Sequence, residues 1–144
     1  MRERKEVLDY GLTLPDTYID TPFHDDNWVL LRYRKNKRAF AWTYERNGQI
    51  WVNVKVDPQW RDFWRNTYAS VLPGYHQNKE HWNSIILDGS IPNKEIRRMI
   101  SESYDLITKN IRTCLKIAFC ESTACLTGGI YRHGNAAIFL CFRN

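Results

Sequence analysis

The dipeptide Asn47-Gly48 is the feature that most constrains how this chain of 144 residues can fold. It separates two runs rich in β-branched and aromatic residues, 38–46 and 49–56. An Asn-Gly pair between such runs is the strongest short-range signal for a hairpin closed by a type I′ turn. A two-residue turn also sets register, because residues equidistant from it must face one another. Glu45 then faces Ile50, Tyr44 faces Trp51, Thr43 faces Val52, Trp42 faces Asn53, Ala41 faces Val54 and Phe40 faces Lys55.

Side chains alternate along a strand, so the register divides the hairpin into two unlike faces. One carries Ala39, Ala41, Thr43, Ile50, Val52, Val54 and Val56, which are small and β-branched and suited to being covered by helices. The other carries Phe40, Trp42, Tyr44, Trp51, Asn53 and Lys55, rings mixed with an amide and an ammonium group. Four uses fit such a face. It is a stacking platform for bases, the wall of a small-molecule site, a dimer surface, or a surface covered by another part of the chain, for which the long C-terminal tail is available.

The rest of the chain supplies the partners. Residues 28–34 predict a further strand and residues 82–87 another, followed by an Asp88-Gly89 turn. Residues 3–14 place Val7, Leu8 and Leu12 at helical spacing and stop before Pro15. Asp57-Pro58 reads as an N-cap with a first-turn proline, and Trp60, Phe63, Trp64 and Tyr68 follow as a packing stripe on a helix running to about Ser70. Pro92 opens a third helix with Ile96, Met99, Ile100, Ser103 and Ile107 on one side and Lys94, Arg97 and Arg98 off it. The arginine pair is either a solvated face or a phosphate contact. Residues 16–27 read as a connecting loop, in which His24 beside Asp25 and Asp26 is surface turn chemistry rather than a metal group. The class is therefore α+β: an antiparallel sheet of four or more strands with three helices packed mainly on one face.

Residues 73–83, Pro-Gly-Tyr-His-Gln-Asn-Lys-Glu-His-Trp-Asn, form the most site-like segment. His76, Lys79, His81 and Trp82 fall within it, more chemistry than a connection requires. Read as a site, this loop and the ring face form a single unit; read as a connector, its rings pack and its histidines bond locally.

Charge narrows the partners. Residues 1–111 carry 17 Lys and Arg against 15 Asp and Glu, a net of +2, which permits phosphate contact without announcing it. All four cysteines, Cys114, Cys120, Cys125 and Cys141, fall late in the chain and none forms a CxxC pair, so free thiols in a reducing cytoplasm are expected. No apolar run is long enough to span a membrane, and no metal or cofactor motif is visible. Residues 1–111 are expected to form one domain. Residues 112–144 form a C-terminal extension without a visible helical period, with strands expected at 115–120 and 136–142.

Leu14-Pro15-Asp16, Phe40-Ala41-Trp42, the run from Asn53 to Pro58, the 73–83 block and Ser103-Tyr104 together resemble the MmcQ/YjbR family of small bacterial proteins, over roughly residues 1–110. The resemblance implies a compact α/β domain with a frataxin-like (CyaY-like) outline and DNA binding. It matches the family's lysine to Lys55, and its loop residues to His76, Lys79, His81 and Trp82. The expectation is a cytoplasmic DNA-binding protein, without catalysis, using Lys55, Lys79, Arg97 and Arg98 on phosphates and Trp42, Trp51 or Trp82 as stacking groups. The alternative is a small-ligand or protein-interaction module, or a homodimer, built on the ring face with Asn53, His76, Lys79 and His81 as polar contacts.

Overall fold

The structure is a computed structural model that describes the backbone of residues 1–123 and the side chains of residues 1–108. The described elements are α1 (Arg4–Leu12), β1 (Thr17–Asp20), β2 (Val29–Tyr33), β3 (Ala39–Arg46), β4 (Gln49–Lys55), α2 (Pro58–Thr67), β5 (Val71–Pro73), β6 (Trp82–Ile86) and α3 (Asn93–Thr123). The strands form one antiparallel six-stranded sheet in the order β1-β2-β3-β4-β6-β5. The Asn47-Gly48 turn is present, with φ of 54° and 72°, the positive values a type I′ turn needs at both positions. The register runs from Arg46↔Gln49 to Ala41↔Val54.

The aliphatic face is the core. Leu31, Ala41, Val52, Val54, Val71 and Ile85 lie under Val7 of α1, Trp64 of α2, and Ile96, Met99, Ile100, Tyr104 and Ile107 of α3. Each such side chain removed from water contributes about 1.5–3 kcal/mol before chain entropy is counted, which is why three helices collect on this face. Asp57 caps α2 as its position before Pro58 predicts, its carboxylate accepting from Gln59 N at 3.0 Å.

Phe40 departs from the expected pattern. The ladder between β2 and β3 shifts register between Leu31 and Arg32, and Phe40 turns to the core, where its ring meets Tyr104 edge-on at 5.5 Å. The Phe40–Lys55 rung is therefore replaced. The hydroxyl of Ser103 donates to Phe40 O at 2.5 Å and accepts from Lys55 N at 2.8 Å, so a helix side chain completes the ladder where the bulge interrupts it.

Other expectations are corrected at the edges. Part of the expected 16–27 loop is strand β1, and β5 lies between α2 and the 73–83 block. Helix α2 stops at Thr67, and its stripe is only partly core: Trp64 is buried while Trp60 and Phe63 are about half exposed. Helix α3 runs through residue 111 to Thr123, so the strand expected at 115–120 is helix. The physical reason is the lack of a stop signal, since neither proline nor glycine occurs between Pro92 and Gly128. The strand expected at 136–142 lies outside the described residues.

Candidate functional site

The register that sends aliphatic residues to the core sends Trp42, Tyr44, Trp51, Asn53 and Lys55 to the other side, joined from β6 by Trp82 and Ser84. Two loops cover this face. The first is the 73–82 segment, which turns back on itself at Gly74. Gly74 N donates to Trp82 O at 2.9 Å, and a Cβ on Gly74 would lie 2.7 Å from Trp82 Cβ, so this approach is open only to glycine.

Asn53 holds the loop down. It is fully buried, its Oδ1 accepts from Ser84 Oγ at 2.6 Å and from Tyr44 Oη at 3.2 Å, and its Nδ2 donates to Tyr75 O at 2.9 Å. Ser84 Oγ in turn accepts from Tyr75 N at 2.8 Å. Both main-chain groups of Tyr75 are thus satisfied by sheet side chains, and a polar network replaces apolar packing as the fastener. Burial pushes the Tyr44 phenol up to about 12, with the Ser84 hydrogen bond opposing it.

The second cover is the segment before β2. Trp28 stacks on Tyr44 with ring centroids 4.4 Å apart, and the Asn27 amide accepts from Glu45 N at 2.7 Å and donates to Glu45 O at 3.1 Å. Between the covers lies an open cleft of about 570 Å³ lined by Phe23, Asp25, Trp28, Trp42, His76 and Gln77. Phe23 and Trp28 meet Trp42 at 6.1 and 6.3 Å, and His76, at a positive φ of 54°, meets Trp28 at 6.4 Å. The indole N–H groups of Trp42 and Trp51 are buried without a hydrogen-bond acceptor among the described residues. A buried donor left without any partner costs about 1–3 kcal/mol.

Beyond the cleft the face turns basic. Trp82 meets Trp42 edge-on at 6.3 Å, and Lys55 Nζ lies 5.3 Å from the Trp82 ring centroid. The Lys55 pKa is lowered by desolvation and then by the charge of Arg38. Arg38 and Lys37 are exposed in the turn between β2 and β3, whose Asn36 side chain is fastened to Ile107 O of α3 at 2.9 Å.

The structure brings Trp42, Asn53, Lys55, His76 and Trp82 onto one face, with Trp51 beside them under Arg46, whose guanidinium lies 5.1 Å from its ring. Asn53 is spent on the loop. Lys79 and His81 are exposed and serve through their main chains: Lys79 O accepts from Arg65, and His81 O accepts from Val56 N. Arg97 and Arg98 lie on the helix layer, where Arg97 covers Tyr10 and Arg98 covers Trp64 and bonds Glu102 at 2.9 Å. Sequence reasoning missed Phe23, Asp25 and Trp28 as cleft residues, and Lys37 and Arg38 as cations with no carboxylate partner among the described residues. The second pair had a signal, four cations in the five residues from Arg34 to Arg38. Among the described residues no group of three His, Cys, Asp or Glu could hold a metal ion, and no helix is long and apolar enough to cross a membrane.

Comparison with known proteins places this geometry among relatives. The YjbR family model matches residues 12–106. The chain is 34% identical over 117 residues to the uncharacterised protein YyaQ of Bacillus subtilis, covering 74% of this chain and 98% of that one. It is 29% identical over 99 residues to the uncharacterised protein YjbR of Escherichia coli K12, covering 69% and 81%. The crystal structure of Deinococcus radiodurans protein DR2400 matches with a TM-score of 0.69 at 30% identity, over 76% of this chain and 80% of that one. A Pseudomonas syringae protein matches with a TM-score of 0.65 at 28% identity, over 72% and 97%.

Proposed function

The chain belongs to the YjbR family, and from that premise we propose that it binds DNA, holding phosphates at the Lys55 end of the ring-lined face. One observation carries this reading: Lys37, Arg38 and Lys55 have no carboxylate partner among the described residues, whereas their neighbours Arg32 and Lys35 are paired with Asp20 and Asp16. The Lys55 pKa is lowered first by its desolvation and then by the like charge of Arg38, so the ammonium is held there at a cost. A phosphate offsets both the repulsion and the desolvation through charge-assisted hydrogen bonds. The rings of Trp82 and Trp42 beside the cations suit sugar and base contacts, a combination typical of sites that follow a nucleic-acid backbone.

The near balance of charge elsewhere makes the contact local. Three phosphates neutralised predict a slope of log affinity against log salt of roughly −2 for a single strand and −2.7 for a duplex. Titrating labelled DNA from low to moderate salt measures it. The variants Lys37→Ala, Arg38→Ala and Lys55→Ala should each flatten the slope by about one unit or less. Binding that ignores salt, or no binding at low ionic strength, would sink the reading.

A further inference from the structure

The cleft walled by Phe23, Trp28, Trp42 and His76 is not used by phosphate binding, and its chemistry differs from that of the basic end. We infer that it accommodates one unpaired nucleobase, so that the nucleic acid this protein prefers is single-stranded; the inference rests on the phosphate reading above and deepens it.

Charge decides which part of a nucleotide enters. Asp25 lies in the lining with one carboxylate oxygen occupied by Asn27 N at 2.8 Å, which leaves the other to accept. A carboxylate repels phosphate but accepts from the amino and ring N–H groups on a base edge. Gln77, whose side-chain amide has no hydrogen bond among the described residues, offers both a donor and acceptor to the same edge. The walls supply the π-surface: Phe23 is 48% exposed, although it meets the Trp42 ring at 6.1 Å, and so keeps a free side toward the cleft. A space of about 570 Å³ is within the range of sites that bury small planar molecules. Bases inside a duplex are stacked and paired and cannot enter such a cleft, whereas an unpaired base can.

Position supports the same assignment. Two ring contacts, Trp42 to Trp82 at 6.3 Å and Trp82 to Lys55 Nζ at 5.3 Å, lead from the cleft to the cations, the reach of roughly one or two nucleotides. A strand with its base between the covers therefore runs its backbone toward Lys55, Arg38 and Lys37. In the wall between them the indole N–H of Trp42 is buried with no acceptor among the described residues.

The test uses the full chain with two probes. The first compares an adenine-containing single strand with the same strand made abasic and with its duplex. The intact strand should bind about tenfold more tightly than the abasic one, and Phe23→Ala should erase that preference while leaving the salt slope unchanged. Phe23 is half exposed, so the variant should fold, and Asp25→Asn gives a second variant that keeps the Asn27 turn acceptor. The second probe is free adenosine, which carries no phosphate. It should shift the indole resonances of Trp28 and Trp42 in the wild type and in Lys55→Ala alike, and leave them unmoved in Phe23→Ala. Equal affinity for intact and abasic strands, with a normal salt slope, overturns the base site and leaves the phosphate reading standing. Adenosine-induced shifts without salt-dependent strand binding keep the base site and remove the phosphate reading. Unmoved indole signals in the wild type overturn the base site.

Discussion

The two faces of this sheet are sealed by different means. On one, helices lay Val7, Trp64, Ile100 and Tyr104 over Val52, Val54 and Ile85, and the fastener is apolar area. On the other, loops lay Trp28 and Tyr75 over Tyr44, and the fastener is a buried amide and hydroxyl, Asn53 and Ser84. The first is packed by apolar side chains of three helices; the second leaves an aromatic cleft of about 570 Å³ and, among the described residues, two buried indole donors without an acceptor and a row of cations without a carboxylate partner. A face closed by helices gives stability without selectivity for partners. A face closed by polar loops keeps surface that a ligand can use.

The largest expected effect tests the helix side. Ile100→Ala should lower unfolding free energy by about 2–5 kcal/mol in urea denaturation and leave nucleic-acid affinity per folded molecule unchanged. A matching loss of affinity would mean that the faces are not independent. Asn53→Ala attacks the other fastener. It leaves Ser84, Tyr44 and Tyr75 O without their partner, at a cost of about 1–3 kcal/mol, and should speed exchange of the Tyr75 amide proton more than that of core amides. Uniform acceleration across the sheet would show that the loop and core open together.

Gly48→Val tests the register that creates both faces. No atom lies within 4 Å of a Cβ there, so the expected loss of about 1–2 kcal/mol comes from the backbone alone, a β-branched residue being forced to φ 72°. Unchanged thermal stability would argue against the turn. The smallest effect is in pH. The Lys55 pKa is lowered, so between that value and the ordinary lysine value of 10.5 the unfolded chain holds more protons at this position than the native one. Stability should therefore rise slightly with pH across that interval, strand affinity should fall over the same interval, and Lys55→Met should abolish both trends.

Much of the frame was legible in the residues because it is local. Asn47-Gly48 sets the central register, Asp57-Pro58 starts α2, and the Ile96-to-Ile107 spacing predicts the packed side of α3. What escaped depends on distant parts of the chain. Phe40 alternates correctly for the ring face, and only the β2–β3 bulge, completed by Ser103 sixty-three residues away, turns it inward. Strand β1 is four residues between Pro15 and Pro22, too short for a period to show, and β5 ends in a proline. The cleft was half visible: Trp42 and His76 were marked by composition, but Phe23 and Asp25 become neighbours of Trp42 only when the segment before β2 folds over the sheet.

The order of the strands has a colloidal consequence. The two outermost, β1 and β5, are also the shortest, at four and three residues, and β5 ends at Pro73, which has no N–H to give. A second sheet arriving edge-on finds almost no main chain to pair with, while the long strands β3 and β4 are enclosed in the middle. Among the described strands, crowded copies therefore find little edge main chain to zip together, and side chains such as the half-exposed Trp60 and Phe63 are left as points of contact.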